Sequence, residues 1–272
     1  MTSPPLIGAA LTIDTFARLR PWILDRQRDV EIQDFFWPHL LDGDWRAVTD
    51  GYAPLLDGYR GRLGVHGPFW SFSIAAMDPD IVAVARKRLG QGLDICAALG
   101  ADQMVIHSPF TTWDHHNLDS WPGARAAMIE RTVETLAPLV KRAEDQGVTL
   151  VIENIEDIDP ADRVRLALAC GSDRVRVSLD TGHAHYAHGA TGAPPVDFFV
   201  NVAGDMLEHV HIQDADGHAD RHWPPGEGTV RWRCVFDALA RLGSRPRLVL
   251  ELMDESRIEA GAAWLVAQGL AE

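Results

Sequence analysis

The chain has 272 residues, 46% of them hydrophobic and 24% charged, with a formal net charge of −14. A length near about 250 residues suits one α/β barrel, and an acidic surface repels phosphate backbones, which disfavours nucleic acid as a partner. No apolar run reaches membrane-spanning length and no charged-then-apolar leader is present, so a cytoplasmic protein without a membrane partner is expected.

In chain order the residues alternate strand and helix. Strand Leu6–Ile13 is followed by helix Thr15–Arg26. Strand Asp29–Phe35 leads through a Trp/Pro/His loop to helix Asp44–Tyr59. Strand Leu63–Phe69 precedes a loop and the long helix Pro79–Leu99. Strand Gln103–His107 is followed by a loop rich in Thr, Trp, Asp and His, then helix Pro122–Gln146. Strand Thr149–Ile155 precedes helix Pro160–Ala169. Strand Arg174–Asp180 leads through a Gly/His/Ala loop to helix Val196–Val202. Strand Leu207–Gln213 precedes a long polar loop and helix Arg231–Leu242. Strand Arg247–Leu252 precedes helix Ser256–Gln268. The strands are continuous apolar runs, as in a parallel sheet covered on both faces. Eight such units without a composition break predict an α/β fold, a single (β/α)8 TIM barrel forming one domain over residues 1–272. Cys96, Cys170 and Cys234 lack metal-binding spacing and are read as reduced core thiols.

Six of these strands end in an ionisable residue: His66, His107, Glu153, Asp180, His211 and Glu251. A single one is explained by a salt bridge or a satisfied core polar group. Six at one end call for a shared compensator, because burying them uncompensated is costly. A divalent cation is the simplest, and in such barrels the C-terminal strand ends carry the site. Carboxylates and imidazoles suit Zn²⁺, Mn²⁺, Co²⁺ or Mg²⁺. His209 and His211 lie two residues apart on one strand face; His211, nearer the rim, is the expected ligand and His209 a hydrogen-bonded core histidine. In Asp180-Thr-Gly-His183 the glycine is read as permitting a tight turn that returns His183 to Asp180. His185 and His188 are read as solvated loop residues. In the loop after the seventh strand, Asp220 and His222 are placed to present two ligands, with Arg221 turned towards a substrate anion. The glycines of Gly226-Glu-Gly228 are read as structural.

Val-His66-Gly, Ile-His107-Ser-Pro, Val-Ile-Glu153-Asn, Leu-Asp180-Thr-Gly-His183, Val-His211-Ile-Gln-Asp, Asp220-Arg-His222 with Gly-Glu-Gly after it, and Glu251 together resemble the xylose isomerase-like TIM-barrel superfamily, which contains sugar isomerases and epimerases and endonuclease IV. Resemblance to the ketose epimerases implies one metal held by Glu153, Asp180, His211 and Glu251, with Glu153 and Glu251 as acid/base groups and His183 orienting substrate. Resemblance to endonuclease IV implies three zinc ions, with His66, His107, His183, Asp220 and His222 as additional ligands. The acidic charge and a shorter segment between His211 and Asp220 depart from the nuclease pattern and argue against duplex DNA.

The leading expectation is a metal-dependent sugar or polyol isomerase or epimerase holding one to three ions. The alternatives are a multi-zinc phosphoester hydrolase acting on a non-duplex substrate and a non-catalytic sugar-binding barrel; dehydration of a polyol or keto acid is a further superfamily reaction. No Gly-X-Ser-X-Gly, Gly-X-Gly-X-X-Gly or Walker-type loop is present. Phe36, Trp37, Phe69, Trp70, Phe110, Trp113 and Trp223 fall in or beside rim loops, where aromatic rings stack on sugars, bury under loops or form a homodimer contact.

Overall fold

The structure, a computed structural model, describes residues 4–272, so the first three residues of the expected domain lie outside the described residues. Eight parallel strands close into a barrel in sequence order: β1 Gly8–Leu11, β2 Val30–Ile32, β3 Leu63–His66, β4 Gln103–His107, β5 Thr149–Glu153, β6 Val175–Asp180, β7 Leu207–Ile212 and β8 Arg247–Leu250. Pairing of Gly8 with Val249 and Ala9 with Leu250 joins β1 to β8 and closes the ring.

A simple parity sorts the side chains. On β5, Leu150 and Ile152 join the hydrophobic layer beneath the helices. Alternation then turns Val151 and Glu153 into the barrel. The same rule places Val30 and Ile32 outward with Glu31 inward, and Val210 and Ile212 outward with His209 and His211 inward. Each outward Ile or Leu contributes about 1.5–3 kcal/mol by burial. That outer layer holds the cylinder on which a polar interior can be carried. Near the N-terminal end of the barrel, Arg247 donates to Asp102 at 2.5 Å.

The helices are α1 Ile13–Arg26, α2 Pro38–Leu41, α3 Trp45–Tyr52, α4 Pro79–Leu99, α5 Thr112–Asn117, α6 Ala124–Gln146, α7 Pro160–Ala169, α8 Thr181–Thr191, α9 Val196–Ala203, α10 Trp232–Leu239 and α11 Ile258–Ala267. Several depart from the sequence reading. The expected helix to Tyr59 stops at Tyr52: Ala53 still has helical dihedrals, but Pro54 has no N–H to donate to the Asp50 carbonyl. The stretch after β4 is not a bare loop: Thr111 and Asp114 form a reciprocal capping box that starts α5. The stretch after β6 is likewise helix, because the Asp180 carboxylate caps α8 by accepting the His183 backbone N–H at 2.7 Å. Cys96 is buried, Cys170 half-buried and Cys234 exposed, so Cys234 is not the core thiol expected. Among the described residues no helix is long and apolar enough to cross a membrane.

Candidate metal centre

Besides two groups that include Glu31, one with His209 and His211 and one with His66 and Glu251, three donor groups meet at the C-terminal mouth. His66, His107 and Glu153 form the first; Glu153, Asp180, His211 and Glu251 the second; His183, Asp220 and His222 the third. Within each group the donor atoms lie within 4.8 Å of one another. Every metal-ligand position expected from the sequence is therefore brought to this mouth, and Glu153 belongs to two groups.

The imidazoles are oriented by acceptors behind them. His66 Nδ1 lies 2.9 Å from the Gly67 carbonyl, His183 Nδ1 2.9 Å from the Asn154 carbonyl, and His222 Nδ1 3.2 Å from the Glu251 carbonyl. A carbonyl only accepts, so Nδ1 carries the proton in each and Nε2 is left for another partner. Those Nε2 atoms face carboxylates: His66 approaches Glu153 Oε2 at 3.7 Å, His183 approaches Asp220 at 3.3 Å, and His222 approaches Asp220 at 3.1 Å. His107 Nε2 lies 3.6 Å from the same Glu153 oxygen, and Phe69 stacks on the His107 ring with centroids 4.3 Å apart.

Glu153 Oε2 decides whether a cation fits. It is buried and has no hydrogen-bond partner, an expensive condition for a carboxylate oxygen. Two imidazole nitrogens stand 3.6 and 3.7 Å away. That is too long for a hydrogen bond and close to the separation of two ligands about 2.0–2.1 Å from a shared zinc. The donor set, imidazole nitrogen with carboxylate oxygen, is that of Zn²⁺, Mn²⁺ or Co²⁺. The residues fit a divalent cation.

The charges agree. Burial pushes Glu153 up, yet His211 and its neighbours outweigh this and hold the carboxyl well below its usual range. Burial raises Asp180 to about 6 against the pull of His183. Burial alone would depress His222, but Glu251, Asp220 and Asp180 lift it to about 9. His107 falls to about 3, chiefly through burial. The carboxylates thus draw positive charge into the mouth, as protons on imidazole or as a cation.

Asn154 extends the β5–β6 pairing through its side chain, donating to the Asp180 carbonyl at 3.0 Å and accepting the Asp180 N–H at 2.8 Å. Gln213 donates to both Asp180 oxygens, at 3.1 and 3.2 Å, and to Asp220 at 3.0 Å, while accepting the His222 N–H at 2.8 Å. This explains Gly182 differently from the tight turn expected. Gly182 sits inside α8, and a Cβ there would stand 2.1 Å from the Gln213 side-chain oxygen. The glycine makes room. The loop carrying Asp220 and His222 is built on buried Asp214, which accepts from Ala215, Gly226, Val230 and the Trp232 indole. Gly226 has φ +92°, and a Cβ on Gly228 would meet the Ala215 carbonyl at 2.3 Å, so both glycines have structural reasons.

Arg221 is not brought to the donor groups. It pairs with Asp216 at 2.9 Å and lies over the Trp223 ring. His185 bonds Thr229, and His188 bonds the Ala193 carbonyl. His209 Nδ1 lies 2.9 Å from Ser178 Oγ, the core role expected. Trp37 and Trp70 stack 5.8 Å apart on the rim, with Phe36 and Phe69 between them and His66. A cavity of about 210 Å³ beside His107 is lined by Phe69, Phe72 and Phe110. Sequence reasoning missed Glu31 and Gln33. Glu31 Oε1 is 2.8 Å from His211 Nε2, and Gln33 donates to Glu251 Oε1. Their signal was available in strand parity: Val30 and Ile32 outward require Glu31 inward.

Residues 33–268 match the family described as xylose isomerase-like TIM barrel. The chain belongs to that family. Curated relatives of this xylose isomerase-like chain include the fructoselysine 3-epimerase of Shigella flexneri, 32% identical over 49% of this chain and 50% of that protein. The D-psicose 3-epimerase of Ruminiclostridium cellulolyticum is 26% identical over 68% and 61%. The chain spans about half to two thirds of the length of these relatives. A solved structure from Thermus thermophilus, soaked with ZnCl2, superposes with TM-score 0.74 at 27% identity, covering 96% of each chain. A D-tagatose 3-epimerase-like protein superposes at 0.71 with 19% identity, over 97% and 100%, a likeness of fold.

Proposed function

We propose that this xylose isomerase-like barrel is a divalent-metal-dependent isomerase or epimerase acting on a sugar or polyol, with residues 1–272 working as one domain. The observation that carries the reading is the convergence of Glu153, Asp180, His211 and Glu251 on one buried point. The two named epimerase relatives support it. A bound divalent cation supplies Lewis acidity, acidifying a carbon beside a carbonyl or a water beside a phosphate. Glu153 ends β5 and Glu251 directly follows β8, and their carboxylates both reach His211 Nδ1, at 2.5 and 3.5 Å. One takes the proton from the α-carbon and the other returns it. His183, held by the Asn154 carbonyl, orients a substrate hydroxyl, and the rim aromatics exclude water. Incubation with ketoses, aldoses and inososes in deuterated water, followed by mass spectrometry, should show α-hydrogen exchange. Exchange should be lost in Glu153→Gln and in Glu251→Gln.

A second reading, a multi-zinc phosphoester hydrolase, is favoured by the completeness of the His66/His107/Glu153 and His183/Asp220/His222 groups. If these also hold ions, His222→Ala should lower metal content by one ion per chain. The barrel should stay folded, since this loop contributes little to the core. Unchanged metal content would leave the single-metal, epimerase-like site. Cleavage of a phosphodiester with no exchange on any sugar would replace the isomerase reading by the hydrolase; sugar binding without either reaction would leave a binding barrel.

A further inference from the structure

We infer that Glu31 is a positioning residue that fixes His211 in the tautomer its metal-facing nitrogen requires. The inference rests on the metal-dependent reading above. His211 Nδ1 faces the second donor group, 2.5 Å from Glu153 Oε1 and 3.5 Å from Glu251 Oε2. A cation shared by these residues would take its imidazole ligand from Nδ1. The ring must then carry its proton on Nε2. Glu31 Oε1 sits 2.8 Å from Nε2, and an ionised carboxylate only accepts. Glu153 Oε1, 2.5 Å from Nδ1, would accept a proton there equally well, so it is with a cation at Nδ1 that the Glu31 contact holds the proton on Nε2 and fixes the ring's rotation, as a carboxylate behind a ligating imidazole does generally.

Glu31 is itself held. Its second oxygen lies 3.1 Å from His209 Nε2, a charge contact not aligned as a hydrogen bond. His209 is in turn anchored to Ser178, its partner in the β6–β7 register. Glu31, Ser178, His209 and His211 are all buried. A leucine at this inward β2 position would fill the barrel without placing a charge there, and a buried carboxylate costs several kcal/mol unless it is compensated. A residue that served only packing would not need that charge. Glu31 comes from β2, whereas the donors of the three groups come from β3 to β8 and the segments that follow them. Its carboxylate also lies within 4.8 Å of donor atoms of His66 and Glu251 and, separately, of His209 and His211, so the saturating stoichiometry is what separates a brace from a ligand.

The test is zinc affinity, measured by competition with a chromophoric chelator on stripped wild type and stripped Glu31→Gln. The amide preserves shape and removes the charge. Zinc should bind 10- to 100-fold more weakly to Glu31→Gln, with unchanged stoichiometry at saturation and a metal-free melting temperature close to wild type. Equal affinity would overturn the inference and make Glu31 a structural polar group. A lower saturating stoichiometry would also overturn it, by making Glu31 a ligand. Wild type that takes no zinc, manganese or cobalt would instead defeat the metal reading and take the inference with it. Should Glu31→Gln fail to fold, ¹⁵N–¹H NMR of zinc-loaded wild type decides: a proton on His211 Nε2 supports the assignment, and a proton on Nδ1 refutes it.

Discussion

Glu153→Gln should reduce turnover by about 10³-fold or more, within the range for losing an acid/base group, and, if the His66/His107/Glu153 group holds an ion beside the Glu153/Asp180/His211/Glu251 group, should cost the protein more than one metal ion. The reason is geometric. Glu153 is shared: Oε2 faces His66 and His107, and Oε1 faces His211. Glutamine has the same shape but one acceptor oxygen, so one donor group loses its carboxylate whichever way the amide turns. The remaining oxygen is neutral and a poorer ligand for the other. Asp180→Asn touches one group and should cost one ion. Elemental analysis of the two variants beside wild type gives the comparison. Equal losses from both would mean that Glu153 does not bridge two sites.

The second large effect lies behind the mouth. Arg163 is almost wholly buried, forms an ion pair with Asp157 at 2.9 Å, and donates to the carbonyls of Ile152 and Ser178. Asp157 also accepts from Ser108 Oγ at 2.9 Å and from the Ile155 N–H at 3.2 Å. This network ties the end of β4 to β5 and β6, beside Glu153. Arg163→Met should therefore destabilise by about 3–5 kcal/mol, the cost of leaving a buried charge without its partner. Urea unfolding is the measurement. Arg163→Met with Asp157→Asn should recover part of the loss, and a double variant less stable than Arg163→Met would contradict the account. The pH dependence follows from the sign of the shift. Burial raises Asp157 to about 6 even against Arg163, above its unfolded value near about 3.9. The folded state therefore binds the extra proton, and this contribution is present in acid and fades as pH rises from about 4 to 6. The deficit of Arg163→Met should be smaller at pH 4 than at pH 7.

The strands were legible because each is a buried apolar run, and those reaching the site end in an acid or imidazole. Glu153, Asp180, His211 and Glu251 could be named for that reason. The helices that escaped are those whose residues do not announce them. Thr-Gly-His-Ala-His-Tyr-Ala-His-Gly-Ala-Thr has low helix propensity and no apolar period. It becomes α8 because Asp180 caps it and because Ala184 and Ala187 are buried. Glu31 escaped because it sits mid-strand between Val30 and Ile32, where attention to strand ends does not look. Arg221 was misdirected because Asp216, five residues earlier, became its neighbour only when the loop folded on Asp214.

Gly182 and Gln213 behave as one design variable. Any side chain introduced at 182 must be matched by a shorter one at 213, because the two occupy the same space. Shortening 213 removes the amide that spans Asp180 and Asp220 and thereby uncouples the barrel strands from the loop. A redesign of this mouth for another substrate would have to alter both positions together, and would have to supply a new tether for the loop in the same step.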